Sequence, residues 1–278
     1  MTGPGGTGTG GTGPGASAPG VRVRTAAARQ RGQAVLAVVA GGLAFVVAWQ
    51  ALVVLGDQPS YILPGPVEVL ERWVDAWRVG ILQPHLAATL TEIVLGLLAG
   101  GLAGLAVGYL LARSRLAGLV LSPYIVAAQS TPILALAPLL ALWLGTGLAS
   151  KVLICGLIVF FPIAVATMVG FRGVDPRLVE LGRSLRATPR QILVTLEIPA
   201  ALPQIFGGLR VGVTLAVVGA IVAEWAGADQ GLGVLINLAR GSLFDTPLLF
   251  ATLLTIALLG VALYATVVVV ERRLVGAR

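Results

Sequence analysis

Six apolar runs, at about 34–55, 86–112, 118–144, 152–170, 205–226 and 248–270, dominate this sequence. Each is close to or beyond the ~20 residues that an α-helix needs to cross the hydrocarbon of a bilayer. No water is available there to satisfy open backbone groups, so such runs can cross only as helices. The remaining residues cannot build a water-exposed surface, because only 11% of the chain is charged while 57% is hydrophobic; a soluble domain carries about a quarter charged residues. The expected fold class is therefore an all-α integral membrane protein of about six transmembrane helices.

The sequence divides into an N-terminal tail at 1–33, a transmembrane region at 34–271 and a short tail at 272–278. Residues 1–20 hold almost only Gly, Thr, Pro, Ala and Ser and cannot bury a core, so disorder is expected there. They contain literal GxGxxG spacings, for example Gly8, Gly10 and Gly13, but no strand precedes them and no nucleotide loop is implied. Arg22, Arg24, Arg29 and Arg31 then precede the first run as they would in a signal peptide. The run is longer than a typical signal core and reads as an uncleaved first helix.

The sequence carries 19 basic and 12 acidic residues. Their placement in clusters between apolar runs points to membrane topology, with no nucleic-acid partner. Six crossings with a cytoplasmic N-terminus put 15 basic residues inside and 4 outside, the latter being Arg72, Arg78, Lys151 and Arg240. That asymmetry fits the positive-inside rule and puts both termini in the cytoplasm. Chemistry of other kinds has little support. A lone Cys155 and a lone His85 exclude an internal disulfide, a CxxC site and a histidine metal cluster. His85, after Pro84, reads as an interfacial or a proton-handling residue. No His/Asp/Glu cluster within one run favours an embedded enzyme.

Several local patterns carry structural expectations. Pro123, Pro132 and Pro138 interrupt the third run, which should kink; Pro132 is a candidate for the translocation pathway, against a bend that only helps packing. Gly96, Gly100, Gly104 and Gly108 form one helical stripe on which another helix can approach closely. Residues 66–79 read as an outer surface helix with Val67, Leu70, Trp73, Val74 and Trp77 on its apolar side and a Glu68–Arg72 pair on the other. Glu92 and Glu224 are carboxylates near the outer ends of their helices. They are costly in lipid unless paired or hydrated. Each is a candidate for the translocation cavity, with interfacial solvation as the alternative and, for Glu224, pairing with Arg240.

The longest polar stretch, 172–203, holds two helix starts, Asp175-Pro176 and Thr188-Pro189, so two short helices should meet near Arg186–Thr188. Glu180-Leu181-Gly182, then Arg186, then Leu196-Glu197-Ile198-Pro199 after nine residues, resembles the "EAA" motif of ABC importer permeases. In that motif the position of Arg186 is usually Gly. Tyr61-Ile62-Leu63-Pro64-Gly65-Pro66, Ser130-Thr131-Pro132, Trp143-Leu144-Gly145, Gly208-Leu209-Arg210 and Gly231-Leu232-Gly233 resemble the permeases for nitrate, sulfonates, taurine and pyrimidine vitamin precursors. Thr89-Leu90-Thr91-Glu92 through Gly96 is similar to the vitamin-precursor branch.

The resemblance, over about 60–271, implies a type I ABC importer permease fold in a bacterial inner membrane. It also implies a second permease copy, two ATP-binding cassette ATPase subunits and an external solute-binding protein. The 172–203 loop would be the coupling segment, with Glu180, Leu181 and Gly182 as the docking face and Arg183 and Arg186 flanking it. The only lysine, Lys151, lacks the glycine pattern of a phosphate loop, so no cofactor is expected on this chain and ATP with magnesium belongs to the ATPase. The alternative is a secondary transporter driven by an ion gradient, which would call for paired internal acids or broken helices in corresponding halves.

Overall fold

The computed structural model describes residues 19–130 and 133–276. They are mainly helical, with no strand among the described residues. The chain falls into two compact units, Met1–Asp57 and Gln58–Arg278. The first contains α1, Pro19–Leu55, whose segment Leu36–Leu55 is long and apolar enough to span. The expected irregular tail over 1–33 is therefore corrected from residue 19 onward. The alanine-rich stretch around Arg22–Arg31 consists of good helix formers and extends the spanning helix backwards. The expectation for residues 1–18 lies outside the described residues.

The second unit begins with α2, Pro66–Arg78, and α3, Leu82–Arg113, followed by α4, Arg115–Ser130, and α5, Ile133–Leu144. Next come α6, Leu148–Arg172, then α7, Pro176–Ser184, and α8, Pro189–Ile192. A π-helical turn over Leu193–Glu197 leads into α9, Ile198–Trp225. The unit ends with α10, Leu232–Gly241, and α11, Thr246–Val275. Five helices among the described residues are long and apolar enough to cross a membrane: the apolar part of α1, then α3, α6, the continuous 189–225 rod and α11. The described parts of the run expected at 118–144 are helical, α4 up to Ser130 and α5 from Ile133. The Thr131-Pro132 pair lies outside the described residues. The spans also begin or end beyond their sequence estimates; α11 takes in Arg272 and Arg273, formerly assigned to a tail.

The core of this unit is α6 packed against both α3 and α9. The α3 glycine stripe faces α6: a Cβ at Gly100 would collide with the backbone of Gly156, and one at Gly108 with Ala164 and Thr167. Bare backbone on both sides lets the helices touch, which in lipid supplies dispersion contacts in place of a hydrophobic driving force. Gly208 on α9 does the same against Pro162 and Ala166. Ile93, Cys155, Val159, Ile163, Ala216, Val217 and Ala220 fill the space between. Leu98, Leu102, Val211, Val218 and Val261 remain exposed on the flanks, as a lipid-facing surface requires.

The surface helix α2 packs onto α11 rather than resting free. Its buried positions are Val69 and Ala76, while Val67 and Leu70 of the expected apolar side are exposed. Docking wins over amphipathic spacing here. Trp73 Nε1 donates to Thr255 Oγ1 at 3.0 Å, and Arg72 pairs with Asp245 at 2.7 Å instead of with Glu68.

Candidate functional site

Two polar assemblies are built on α3, one near each end. At the first, the short helix α10 begins inside the bundle, where its leading N–H groups have no intrahelical partner. Three side chains from other helices meet them in sequence. Gly231 N–H donates to His85 Nδ1 at 3.0 Å, Leu232 N–H to Thr89 Oγ1 at 2.8 Å and Gly233 N–H to Glu224 Oε2 at 2.5 Å. Thr89 Oγ1 in turn donates to Glu224 Oε1 at 2.5 Å. Gly231 has φ +139°, and a Cβ there would occupy the place of the Glu224 carboxyl. Glu224, 2% exposed, is thus the cap of α10. The expected pairing with Arg240 is corrected: Glu224 instead accepts from Gly233 N–H and from the Thr89 hydroxyl.

One turn further along α3, Glu92 Oε1 pairs with Lys151 Nζ at 3.1 Å. Both are buried, at 1% and 9% exposure. Lys151 is a first-turn residue of α6 aimed at α3. Glu92 and Glu224 are electrostatic neighbours. Glu92 Oε2 is buried without a hydrogen-bond partner among the described residues. Glu92 and Lys151 line a cleft of about 570 Å³ with Thr91, Thr146, Asp229 and Gln230. The fold thus gathers two acids and one base that no single apolar run contains, although no described trio has metal-holding geometry.

The second assembly forms where α3 ends. Arg113 takes both oxygens of Glu197, a residue of the π turn. Beside it stands the elbow expected from the two caps. Asp175 accepts from Arg177 N–H at 2.9 Å, and Thr188 with Gln191 forms a reciprocal capping box. The turn between them closes α7 with Ala187 N–H on Gly182 O (3.0 Å) and Arg186 N–H on Arg183 O (2.9 Å). That pattern needs a left-handed residue at its centre, and Arg186 supplies it at φ +57°. A side chain costs about 1 kcal/mol there relative to glycine. Arg186 therefore occupies the backbone role of the glycine it replaces.

The proposed docking residues separate by position. Glu180, Leu181, Arg183 and Arg186 are exposed, and Leu178, Leu181 and Leu185 present apolar surface at 42%, 57% and 74% exposure. Gly182 is buried; a Cβ would stand 3.2 Å from Ile192 and Leu196. Gly182 thus also acts as a close contact between α7 and the following helix. That helix is the second surprise of the loop. It does not stop as a short element but runs through the π turn into the span, Pro189–Trp225. The helix-packing glycines Gly96, Gly100, Gly104 and Gly108 are all buried and have α6 as their partner.

A multi-pass helical bundle with buried charges near one end and an exposed elbow near the other defines a membrane transport subunit. Residues 93–276 match the family described as binding-protein-dependent transport system inner membrane component. The chain belongs to that family and is a permease subunit of the ABC importer kind. It is 43% identical to a riboflavin transport system permease protein, RibX, of Chloroflexus aurantiacus over 83% of this chain and 85% of the relative. It is 36% identical to a formylaminopyrimidine transport permease protein, ThiX, of Halalkalibacterium halodurans (81% and 89%). The taurine transport system permease protein TauC of Escherichia coli is 32% identical (81% and 84%). Among solved structures, the inward-facing MetNI methionine ABC transporter matches with a TM-score of 0.59 at 20% identity, covering 70% of this chain and 98% of that one; this likeness bears on the fold.

Proposed function

We propose that this permease sits in a bacterial inner membrane with both termini in the cytoplasm and works as a pair of copies. Each copy is gripped by one of two ATP-binding cassette ATPase subunits. An external solute-binding protein delivers the solute, either a nitrate-, sulfonate- or taurine-type anion or a pyrimidine or vitamin precursor. ATP and magnesium belong to the ATPase.

The reading is carried by one observation: the elbow and the buried cluster are joined by a continuous helical rod. The exposed leucines of α7, with Glu180 and Arg183 beside them, offer an apolar knob with charged edges, the kind of helix face that seats in a groove. Gly182 holds α7 on α8, and α8 continues to Trp225. Thirty-seven residues at 1.5 Å each make a rod of about 55 Å. A rigid-body push on the knob is thereby passed along α9 to Glu224 at its far end.

Glu180→Lys tests the grip. The variant should insert normally, while solute-stimulated ATPase activity and uptake fall at least tenfold in the assembled transporter. Normal coupling would remove Glu180 from the docking face. Uptake that survives ATP depletion and collapses with a proton uncoupler would favour a gradient-driven carrier, for which the neighbouring Glu92 and Glu224 are the relevant feature.

A further inference from the structure

Glu197 sits in the π turn Leu193–Glu197 and is 5% exposed; a covered carboxylate is costly without donors. Arg113, at the end of α3, supplies them: Nη1 donates to Oε1 at 3.1 Å and Nη2 to Oε2. The remaining guanidinium nitrogen, Nε, donates to Tyr109 Oη at 3.0 Å, and the guanidinium carbon lies 5.2 Å from the centre of the Tyr109 ring. That ring meets Phe171 of α6 edge-on at 4.9 Å. The next residue, Arg172, donates from Nη2 to Leu111 O at 2.8 Å. Its guanidinium fills the space beside Gly118, where a Cβ would collide with it. Directed polar and ring contacts thus tie α3, α6 and the root of the rod together at one node.

The node adjoins the elbow. A Cβ on Gly182 of α7 would stand 3.2 Å from Leu196, and Leu196 is the residue before Glu197. A push on α7 therefore lands next to Glu197 before any of it travels along α9. Apolar helix faces slide past one another in shear movements, whereas a two-pronged guanidinium–carboxylate bond fixes distance and direction together. Beyond Arg113, α3 lies flush on α6 at Gly100 and Gly108. A displacement of Arg113 is thereby shared by both helices and arrives at Glu92 on α3 and Lys151 on α6. π turns are rare and frequent at functional sites, and this one contains Glu197.

We propose that Arg113 and Glu197 form the joint that passes a push on α7 to α3 and α6. They are positioning residues for transport, acting through these helices without touching solute. The inference rests on the reading of the elbow as the place that an ATPase grips, and it adds a second branch to the α9 rod. With the joint intact, α3 and α6 follow the elbow; with the joint broken, the elbow moves and they stay behind.

The test uses the transporter assembled with its ATPase in lipid nanodiscs. It reads distances between spin labels on the two permease copies before and after addition of ATP with vanadate. Arg190→Cys, exposed on α8, reports the elbow, and Leu102→Cys, exposed on α3, reports the inner helices; Cys155 is buried and stays in place. With the joint intact, both distances should change. Arg113→Lys keeps the charge but loses the fork, and Glu197→Gln keeps the shape but loses the charge. Each should preserve the change at the Arg190→Cys label and shrink that at the Leu102→Cys label to less than half. An undiminished change at Leu102→Cys in either variant, or the same fractional loss at both labels, would overturn the proposal. Tyr109→Phe removes only the acceptor of Arg113 Nε and should give a smaller loss at Leu102→Cys. If neither joint variant yields folded protein, no loss in Tyr109→Phe decides against the joint. An Arg190→Cys distance that ignores ATP in the intact protein would instead sink the importer reading, and the joint with it.

Discussion

The two ends of α3 carry ion pairs of opposite design. At one end Glu92 and Lys151 are both buried, and the acid keeps an oxygen without a partner. At the other, Arg113 closes on both oxygens of Glu197, with the guanidinium half exposed and the acid almost covered. About 21 residues of helix, roughly 30 Å, separate them. The second pair is finished by the protein itself and joins the end of α3 to the root of the elbow. The first is left incomplete beside a cleft. A complete pair fixes geometry, whereas an incomplete one keeps an interaction in reserve for something that arrives later.

The comparison depends on α3 lying flush against α6, so the strongest way to break it is Gly100→Leu. The side chain would have to enter the backbone of Gly156, and the variant should lose monodisperse protein on gel filtration. Lys151→Met comes next. It leaves two neighbouring buried acids without their base and should cost about 4 kcal/mol, read as a lowered thermal midpoint in detergent. The double variant Glu92→Gln/Lys151→Met should recover most of that loss, which a purely local packing defect would not allow.

At the other end the two partners should respond unequally. Arg113→Ala strands the nearly buried Glu197 carboxylate and should cost about 3 kcal/mol. Glu197→Ala leaves a half-exposed guanidinium to water and should cost only about 1 kcal/mol. Equal losses would mean that burial does not set the balance. The smallest effect belongs to Arg186→Gly, which relieves the left-handed residue and should gain up to about 1 kcal/mol, with coupling retained.

The sequence made the helical spans, both caps of the elbow and the small-residue stripe legible, because hydrophobic length, Asp-Pro and Thr-Pro starts and a four-residue glycine period are local signals. Residues far apart in the chain could not be paired from those signals. Lys151 looked like a loop charge because its position near a helix start says nothing about the helix opposite. The capping role of Glu224 was not legible, because the capping need of α10 arises only where α10 turns inward. The continuation of α8 into α9 was not legible, because the polar composition of 172–203 read as a loop separate from the span that follows.

The π turn at Leu193–Glu197 also sets an angular phase. One residue more than an α-turn requires is stored between the elbow and the span, and each residue of an α-helix is worth about 100° of rotation. Excising it would restore an unbroken α-ladder yet swing Ile192, the seat of Gly182, round the axis relative to everything beyond Ile198. The knob would then face a different quadrant of its surroundings. The length of the shaft would hardly change, but the direction of its crank would.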